Sequence, residues 1–301
     1  MLRNKEILNI ILLFVLSLLW GLHFSLVKLV DINVNPITIL MPMMSVLTIL
    51  FFIYLYIKNE FFNITFWKTV FFLIAGIFAY IIPLSIEFLV APKIEASHLT
   101  LIVATVPIFT LLIIWAFRLL NVTLKLFLGT MFGLIGLLIL LINNPNNNQI
   151  NLSIWTLLAF LVPISYSLDS LFMEKFWPRK LNFIQVAFGE CLIVFLILLI
   201  TALFLNFPIS SYTNYYYSST FWILSIITFC EVALFYYILN RSGAIFIAFS
   251  SYLVMPAGFL WGFLIFGEIF TLSKLVCTFT IIFSIWLIGN LNLKIDNTPM
   301  D

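Results

Sequence analysis

Charged residues are scarce in this sequence. Only 9% of its 301 residues are Asp, Glu, Lys or Arg, whereas 64% are hydrophobic, and the mean hydropathy is +1.20. Soluble domains carry a charge at about a quarter of their positions, so this composition excludes a soluble globular protein and predicts one that lies in a lipid bilayer. The net charge of +2 supplies no basic surface for nucleic acid, which is therefore not an expected partner.

Cysteine is scarce too. The three cysteines, Cys191, Cys230 and Cys277, all fall inside apolar runs and show neither disulfide nor metal-ligand spacing. We interpret them as small buried hydrophobic residues. The sequence predicts no metal site and no cofactor.

Long apolar runs, by contrast, fill the chain. A membrane-spanning helix needs about 20 largely apolar residues, and ten segments meet this requirement. They lie at roughly 7–30, 36–57, 67–90, 96–118, 122–142, 153–173, 182–205, 220–240, 244–266 and 271–292. No connection between them is long enough to hold a soluble domain. The sequence therefore predicts an all-α integral membrane protein with ten transmembrane helices.

The second half of the chain repeats the plan of the first. The stretch Ala96–Leu141 contains two apolar runs, with Pro107 near the middle of the first, and Ala244–Leu291 contains two runs with Pro256 in the same place. We expect two five-helix repeats, over residues 7–142 and 153–292. Because five is odd, the second repeat enters the membrane with the opposite polarity, so the repeats are inverted.

Lys and Arg are unevenly divided between the two sides of this predicted bundle. With the N-terminus inside, only Lys28, Lys93 and Lys274 lie on the outer side, and the other eleven lie on the inner side. Cytoplasmic loops carry the excess of Lys and Arg. Both termini are therefore predicted to be cytoplasmic.

Inverted repeats are typical of secondary transporters, in which a site near the membrane midplane is opened alternately to each side. A duplicated bundle that serves as a scaffold or a membrane enzyme is the alternative. An enzyme would need a nucleophile–base pair or a metal cluster near one membrane face. The sequence shows neither, so we expect no enzyme.

Pro107 and Pro256 lie close to the midpoints of their helices. A proline removes an N–H and frees the carbonyl four residues earlier, here that of Val103 or Tyr252. Freed backbone at this depth is tolerated only where it faces protein or a water-filled cavity. The pair predicts a central cavity lined by the fourth and ninth helices, although either proline alone could simply shape packing.

An ionisable residue inside an apolar run indicates a functional or structural role, because burying it in a membrane costs at least about 2.5–3.5 kcal/mol. Glu231 lies near the middle of the eighth helix and is a candidate for binding a proton or a substrate amine, or for a purely structural hydrogen bond. Asp169 in the sixth helix shares a stripe with Tyr166; it could instead be an interfacial residue satisfied by Lys175 or water.

A histidine and a cluster of charged residues are further candidates, judged by their positions along the chain. His23 is the one histidine well inside an apolar run, and it could relay protons or be structurally satisfied. Glu87, Lys93 and Glu95 cluster near the predicted outer mouth, where we expect a solvated rim rather than a binding site.

Two motifs carry a resemblance to a known family. The stretch Ser17–Lys28 reads SLLWGLHFSLVK and resembles the Trp-Gly-x-x-Phe-x-x-x-Lys signature of the first helix in EamA-type members of the drug/metabolite transporter superfamily. Gly267 and Glu268 are similar to the Gly-Glu pair that closes the penultimate helix of each EamA repeat. The first repeat departs from this pattern, since Arg118 and Leu119 stand at the corresponding places.

The resemblance implies a fold, a location and a site. It implies ten helices in two inverted repeats, cytoplasmic termini, and a multi-pass protein of a bacterial-type inner membrane. In the family, helices one, three, four, six, eight and nine mainly line the cavity. Together with the proline argument, this implicates twelve cavity residues: Trp20, His23, Phe24, Pro83, Thr100, Val103, Pro107, Tyr166, Asp169, Glu231, Tyr252 and Pro256.

The function implied by the resemblance is secondary transport by alternating access. The expected substrate is a small organic metabolite, an amino acid or a related amphiphile, which is exported with or without proton coupling. The alternatives are uptake of nucleotide-derived metabolites or sugar conjugates, for which no midplane cluster of basic residues exists, and a non-transporting scaffold. The expected partners are the small-molecule substrate and the lipid bilayer, with the chain as a monomer or a homodimer.

Overall fold

The computed structural model describes residues 2–27, 29, 35–93, 96–142, 154–208, 214–267, 269, 271–288, 295 and 298–300. Over these residues the regular structure is helical, and no strand is present. Three residues named in the sequence patterns, Lys28, Glu95 and Glu268, lie outside the described residues.

Fourteen α-helices make up the described fold. They are α1 (Leu2–Val27), α2 (Pro36–Lys58), α3 (Phe66–Gly76), α4 (Ile82–Val90), α5 (Ala96–Val103), α6 (Val106–Phe117), α7 (Leu124–Ile142), α8 (Ile154–Ala159), α9 (Leu161–Phe176), α10 (Phe183–Phe204), α11 (Ser219–Ser242), α12 (Ala244–Ala248), α13 (Ser250–Phe266) and α14 (Leu272–Ile288). A π-helical turn, Ile77–Ile81, joins α3 to α4, and a short 3₁₀ helix, Asn214–Tyr217, precedes α11.

The helices correspond closely to the predicted spans. Eight helical stretches in the described part of the chain are long and apolar enough to cross a membrane, and two shorter apolar helices cover Leu124–Ile139 and Leu272–Leu287. The prediction of an all-helical protein with many membrane spans is confirmed. The count of ten and the orientation of the termini stay predictions.

Local sequence signals set several helix ends. Asn35 accepts a hydrogen bond from the Ile37 N–H at 3.0 Å, and Pro36 occupies the first helical position of α2, where its missing N–H costs nothing. Asn182 and Gln185 form a reciprocal capping box at the start of α10. Such caps satisfy backbone donors that the first turn leaves free.

The halves of the chain pack against each other reciprocally. α1 packs on α13, and α9 packs on α6; α1 also contacts α11, and α9 contacts α4. α2 packs on α10 and α7 on α14, so each of these pairs joins corresponding helices. Inverted repeats would produce this exchange of partners. The bundle therefore has its centre between the halves.

Small residues permit the closest of these contacts. A Cβ added to Gly21 on α1 would lie 2.8 Å from the Cβ of Ala257 on α13, closer than carbon atoms pack. Glycine thus lets the two backbones approach, as small residues do between membrane helices.

The outer surface of the bundle is apolar. Large side chains such as Trp115, Phe204 and Trp286 are exposed, and we expect lipid to cover them. Cys230 is exposed as well, whereas Cys191 and Cys277 are buried. The interpretation of all three cysteines as buried residues is therefore wrong for Cys230, because its helix face is turned away from the core.

Candidate functional site

A central cavity lies between the two halves of the bundle. It encloses about 840 Å³, including the space open to solvent, and it is lined from the first, third, fourth, sixth, eighth and ninth spans. These are the six spans that the family resemblance implied. A cavity with a few polar groups among apolar walls is the form that small-molecule sites take.

His23 and Glu231 meet across this cavity. The Nδ1 atom of His23 on α1 lies 3.1 Å from Oε2 of Glu231 on α11, and the residues are only 5% and 3% exposed. The Thr228 hydroxyl oxygen lies 3.4 Å from the same ring nitrogen. The other carboxylate oxygen, Oε1, has no hydrogen-bond partner among the described residues. Glu231 is therefore held at one oxygen and left free at the other.

Glu87 belongs to the cavity wall rather than to a solvated rim. Its side chain is 1% exposed, and its Oε1 accepts a hydrogen bond from the Tyr166 hydroxyl at 2.9 Å. Oε2 has no partner in the described part of the chain. The interpretation of Glu87 as part of a solvated rim is wrong, because α4 directs its side chain inward towards α9. The position of a residue along the sequence does not reveal this direction. Lys93 stays exposed and lies 6.0 Å from the Trp155 ring centroid.

Asp169 also lines the cavity. It is 1% exposed, and its Oδ1 has no hydrogen-bond partner among the described residues. The alternative in which Lys175 satisfies it at the membrane interface is wrong. The Lys175 amine instead lies 5.6 Å from the centroid of the Phe176 ring, about two turns further along α9.

A buried cluster lies behind Asp169. The Tyr236 hydroxyl donates a hydrogen bond to Oε2 of Glu190 and lies 3.4 Å from the Tyr80 hydroxyl. Glu190 is 0% exposed and does not line the cavity, whereas the two tyrosines do. This cluster connects α10 to the cavity wall.

The charge pattern of the cavity is one-sided. Its lining includes three carboxyl groups, those of Glu87, Asp169 and Glu231, and a single histidine, and no Lys or Arg is among the described lining residues. Rings of Trp20 and Phe24 supply apolar and π surface. Such walls suit a ligand with an ammonium group and an apolar body, whereas a phosphate would meet no Lys or Arg among the described lining residues.

The structure brings together seven of the twelve predicted cavity residues and leaves five elsewhere. The seven that line the cavity are Trp20, His23, Phe24, Val103, Tyr166, Asp169 and Glu231. Pro83, Thr100, Pro107, Tyr252 and Pro256 are not among the lining residues.

Tyr252 and Thr100 serve packing instead. Tyr252 is fully buried, and its hydroxyl donates to the Thr130 carbonyl on α7 at 2.9 Å. Its ring occupies the space that a side chain at Gly133 would fill. The Thr100 methyl group faces Gly258. Both side chains join helices beside the cavity.

Both proline-bearing spans are interrupted, but at unequal distances from their prolines. The fourth span breaks at Ala104 and Thr105 and resumes at Val106, next to Pro107. The ninth breaks at Phe249, and Pro256 lies inside the continuous α13. The freed carbonyl expected at Tyr252 is therefore not where the helix opens. Pro83 follows the π turn that presents Tyr80, and π turns are frequent at functional sites.

Serine hydroxyls support both interruptions. The Ser167 hydroxyl on α9 contacts the carbonyl oxygen of Val106 at 3.0 Å, and the Ser17 hydroxyl on α1 contacts that of Ser250 at 3.0 Å. Each hydroxyl shares its proton with a carbonyl of its own helix, that of Pro163 at 2.7 Å or of Leu13 at 2.8 Å. Val106 and Ser250 are each the first helical residue after a break. The two halves thus use the same device, with the first span of one half bracing the fourth span of the other.

Some lining residues were absent from the prediction although a signal existed. Thr228 and Phe235 share a helical face with Glu231, and Ser170 follows Asp169 on the Tyr166 stripe; all three line the cavity. No sequence pattern marked Tyr80 or Tyr236 as a cavity-lining residue. Their role depends on contacts between distant spans.

Comparison with known proteins places the chain among transporters. The model of the EamA-like transporter family matches residues 7–142 and again 153–290. No match was found among curated proteins. A solved structure described only as the crystal structure of a protein superposes with a TM-score of 0.68, covering 94% of this chain and 96% of that one at 12% identity. At that identity the likeness shows a shared fold.

Proposed function

The chain belongs to the EamA-like transporter family, and from that premise we propose that it exports a small amine-bearing metabolite by alternating access. The predicted resemblance is confirmed, and the protein is a multi-pass membrane protein of the drug/metabolite transporter superfamily. The finer proposal names an amino acid or a related amphiphile as substrate and a bacterial-type inner membrane as its location. It includes ten spans in inverted repeats over 7–142 and 153–292, with both termini cytoplasmic.

One observation carries the choice of substrate. Glu231 lines a cavity whose described lining contains no Lys or Arg. One of its carboxylate oxygens is held by His23, and the other is buried without a partner in the described residues. A buried carboxylate is stabilised by a cation that hydrogen-bonds to it. A substrate ammonium group bound at Oε1 would supply that cation, with its apolar body against Trp20 and Phe24.

The surrounding helices support alternating access. Each interrupted span packs on the first span of the other half, α6 on α9 and α13 on α1. Rocking of one half against the other would move these pairs and expose the cavity to each side in turn. Because one chain encloses the cavity, a monomer is sufficient, and a homodimer would form through the lipid-facing surface.

The alternatives fit the cavity less well. Uptake of a nucleotide-derived metabolite or a sugar conjugate would place phosphate oxygens beside three carboxyl groups without a compensating Lys or Arg in the described lining. A scaffold would have no use for ionisable groups whose burial in a membrane is costly. Membership of a transporter family gives no support to an enzyme.

Counterflow in proteoliposomes tests the proposal. Purified protein is reconstituted with an unlabelled compound inside, and entry of the same labelled compound is measured for amino acids, amines, nucleotide-derived metabolites and sugar phosphates. We expect accumulation of an amine-bearing compound. Accumulation of a phosphorylated compound alone, or of none by folded and inserted protein, would contradict the proposal.

A further inference from the structure

We propose that the cavity binds a dication, a diamine whose two ammonium groups are held at Glu231 and Glu87. This inference rests on the proposed function and narrows its substrate from an amine-bearing metabolite to a compound with a cationic group at each end of an apolar chain. Glu231 stays the site of the first ammonium group, and Glu87 is the site of the second.

The carboxyl groups of Glu87 and Glu231 are held in the same way. Both residues line the cavity and are only 1% and 3% exposed. One oxygen of Glu87 accepts a hydrogen bond from the Tyr166 hydroxyl at 2.9 Å, and one oxygen of Glu231 lies 3.1 Å from Nδ1 of His23. The second oxygen of each is buried without a hydrogen-bond partner among the described residues. Each carboxyl group therefore keeps one acceptor for a ligand.

These two contacts correspond to each other in the two family matches. Glu87 lies on the third span of the first match, and its donor Tyr166 lies on the first span of the second. Glu231 lies on the third span of the second match, and His23 lies on the first span of the first. In each case the third span of one repeat supplies a carboxyl group that the first span of the other repeat holds. Two half-sites of the same design suit a ligand with the same charged group at both ends.

The charge balance of the lining favours two cations over one. The described lining contains three carboxyl groups, those of Glu87, Asp169 and Glu231, against one histidine and no Lys or Arg. With all three ionised and His23 protonated, one ammonium group leaves one negative charge uncompensated, whereas two ammonium groups leave none. A buried charge without a partner is strongly destabilising, so a diamine compensates the site better than a monoamine.

Asp169 strengthens the Glu87 end of the site. It lies three positions after Tyr166 on α9, so the two side chains share a helix face, and Tyr166 is the residue that contacts Glu87. The Oδ1 atom of Asp169 has no hydrogen-bond partner in the described part of the chain. An ammonium group held at Glu87 would therefore be attracted by a second carboxyl group as well.

A metal ion suits these groups less well than a diamine. Within the described ranges, no group of three or more His, Cys, Asp or Glu side chains could hold a metal ion, so a divalent metal lacks a set of ligands. The rest of the wall includes the apolar side chains of Phe24, Val106 and Phe235, which suit a hydrocarbon chain. A diamine supplies both the two charges and the apolar centre.

Binding of matched compounds to purified protein tests the second half-site. Calorimetry in detergent compares straight-chain diamines, from diaminopropane to diaminooctane, with the amino alcohols of the same length, in which a hydroxyl replaces one ammonium group. The series finds the chain length that spans the two carboxyl groups. At that length we expect the diamine to bind about tenfold to a hundredfold more tightly than its amino alcohol, because it adds a hydrogen bond between charged groups.

Glu87→Gln should remove most of this preference. Glutamine keeps the volume and an oxygen for the Tyr166 hydroxyl but removes the charge. We expect the ratio of the diamine's affinity to that of the amino alcohol to fall towards one. A purely structural defect would weaken the binding of both compounds alike and leave their ratio unchanged.

Glu60→Gln is the matched control. Glu60 also accepts a side-chain hydrogen bond, from the Asn182 amide at 2.6 Å, but it is not among the lining residues. This variant should keep the wild-type ratio of affinities.

Failure of this inference and failure of the proposed function give different results. Amino alcohols that bind as tightly as diamines at every length would overturn the second half-site and leave an amine transporter. A wild-type ratio retained by Glu87→Gln would overturn Glu87 as that half-site. The comparison of compounds in wild-type protein needs no variant, so it decides even where Glu87→Gln fails to fold. Folded wild-type protein that binds no amine of either kind would overturn the proposed function itself.

Discussion

At the scale of single residues, Glu231 is the group proposed to bind a substrate amine. Replacement by glutamine keeps the volume and removes the charge. Hydrogen bonds to charged groups contribute about 1.5–3 kcal/mol, so we expect Glu231→Gln to weaken substrate binding by about tenfold to a hundredfold. Substrate binding measured by calorimetry in detergent checks this. Glu60→Gln is the control, because Glu60 is not among the cavity-lining residues and its Oε2 accepts from the Asn182 amide at 2.6 Å. Equal affinity in wild type and Glu231→Gln would leave the residue with a structural role.

The Tyr166 hydroxyl gives a second test at this scale. It donates to Oε1 of Glu87, whose other oxygen has no partner in the described chain. Tyr166→Phe would leave a buried carboxylate with no donor, and a lost partner of this kind costs about 1–3 kcal/mol. We expect a lower unfolding temperature in detergent, measured against Tyr54→Phe, which changes an exposed tyrosine. No difference between the two variants would contradict the contact.

Residue identities were more predictable than residue partners. The sequence marked Glu231, His23 and Asp169, because an ionisable residue in an apolar run stands out. It could not pair His23 with Glu231, since the two are 208 positions apart and meet only when α1 packs on α11. Glu87 was misplaced for the same reason: its environment is set by Tyr166 on another span.

At the element scale, the interrupted spans depend on serines from the opposite half. Ser17→Ala and Ser167→Ala each remove the hydroxyl that contacts the helix after a break. We expect each to lower the free energy of unfolding by about 1 kcal/mol. Ser225→Ala is the control, because the buried Ser225 hydroxyl bonds to the carbonyl of Phe221 in its own helix, as the other two serines bond in theirs, but contacts no second helix among the described residues. Equal stability losses in all three variants, measured by chemical denaturation, would contradict a bracing role.

The contact between α1 and α13 should be intolerant of added volume. Gly21→Ala places a carbon against the Ala257 Cβ and the nearby backbone, and overpacking of this kind costs about 1–3 kcal/mol. Gly258→Ala is the control, because a Cβ there meets only the Thr100 methyl group at 3.7 Å. We expect lower thermal stability for Gly21→Ala alone. Equal unfolding temperatures for the two variants would show that α1 and α13 can move apart without a loss of stability.

Helix positions followed from the sequence more closely than helix interiors. The second predicted span, 36–57, corresponds to Pro36–Lys58, and the seventh, 182–205, corresponds to Phe183–Phe204. Apolar length and capping residues fix such boundaries. The π turn at Ile77–Ile81 and the break at Phe249 were not predicted, because they depend on packing against other spans rather than on a local pattern.

At the scale of the whole molecule, both ends of the chain are predicted to be cytoplasmic. A fluorescent protein fused at the C-terminus should fluoresce and alkaline phosphatase fused there should be inactive, whereas a phosphatase fused after Lys93 should be active. The uneven distribution of Lys and Arg is the physical reason. The reverse pattern of activities would show that both ends lie on the outer side.

We expect the cavity to select an amine, and a matched pair of compounds tests this selectivity. Counterflow is measured for the transported amine and for its deaminated analogue, which keeps the same carbon skeleton. We predict that the amine is exchanged and that the analogue is not, because only an ammonium group pairs with the free oxygen of Glu231. Equal exchange of both compounds, or exchange of the analogue alone, would contradict the account.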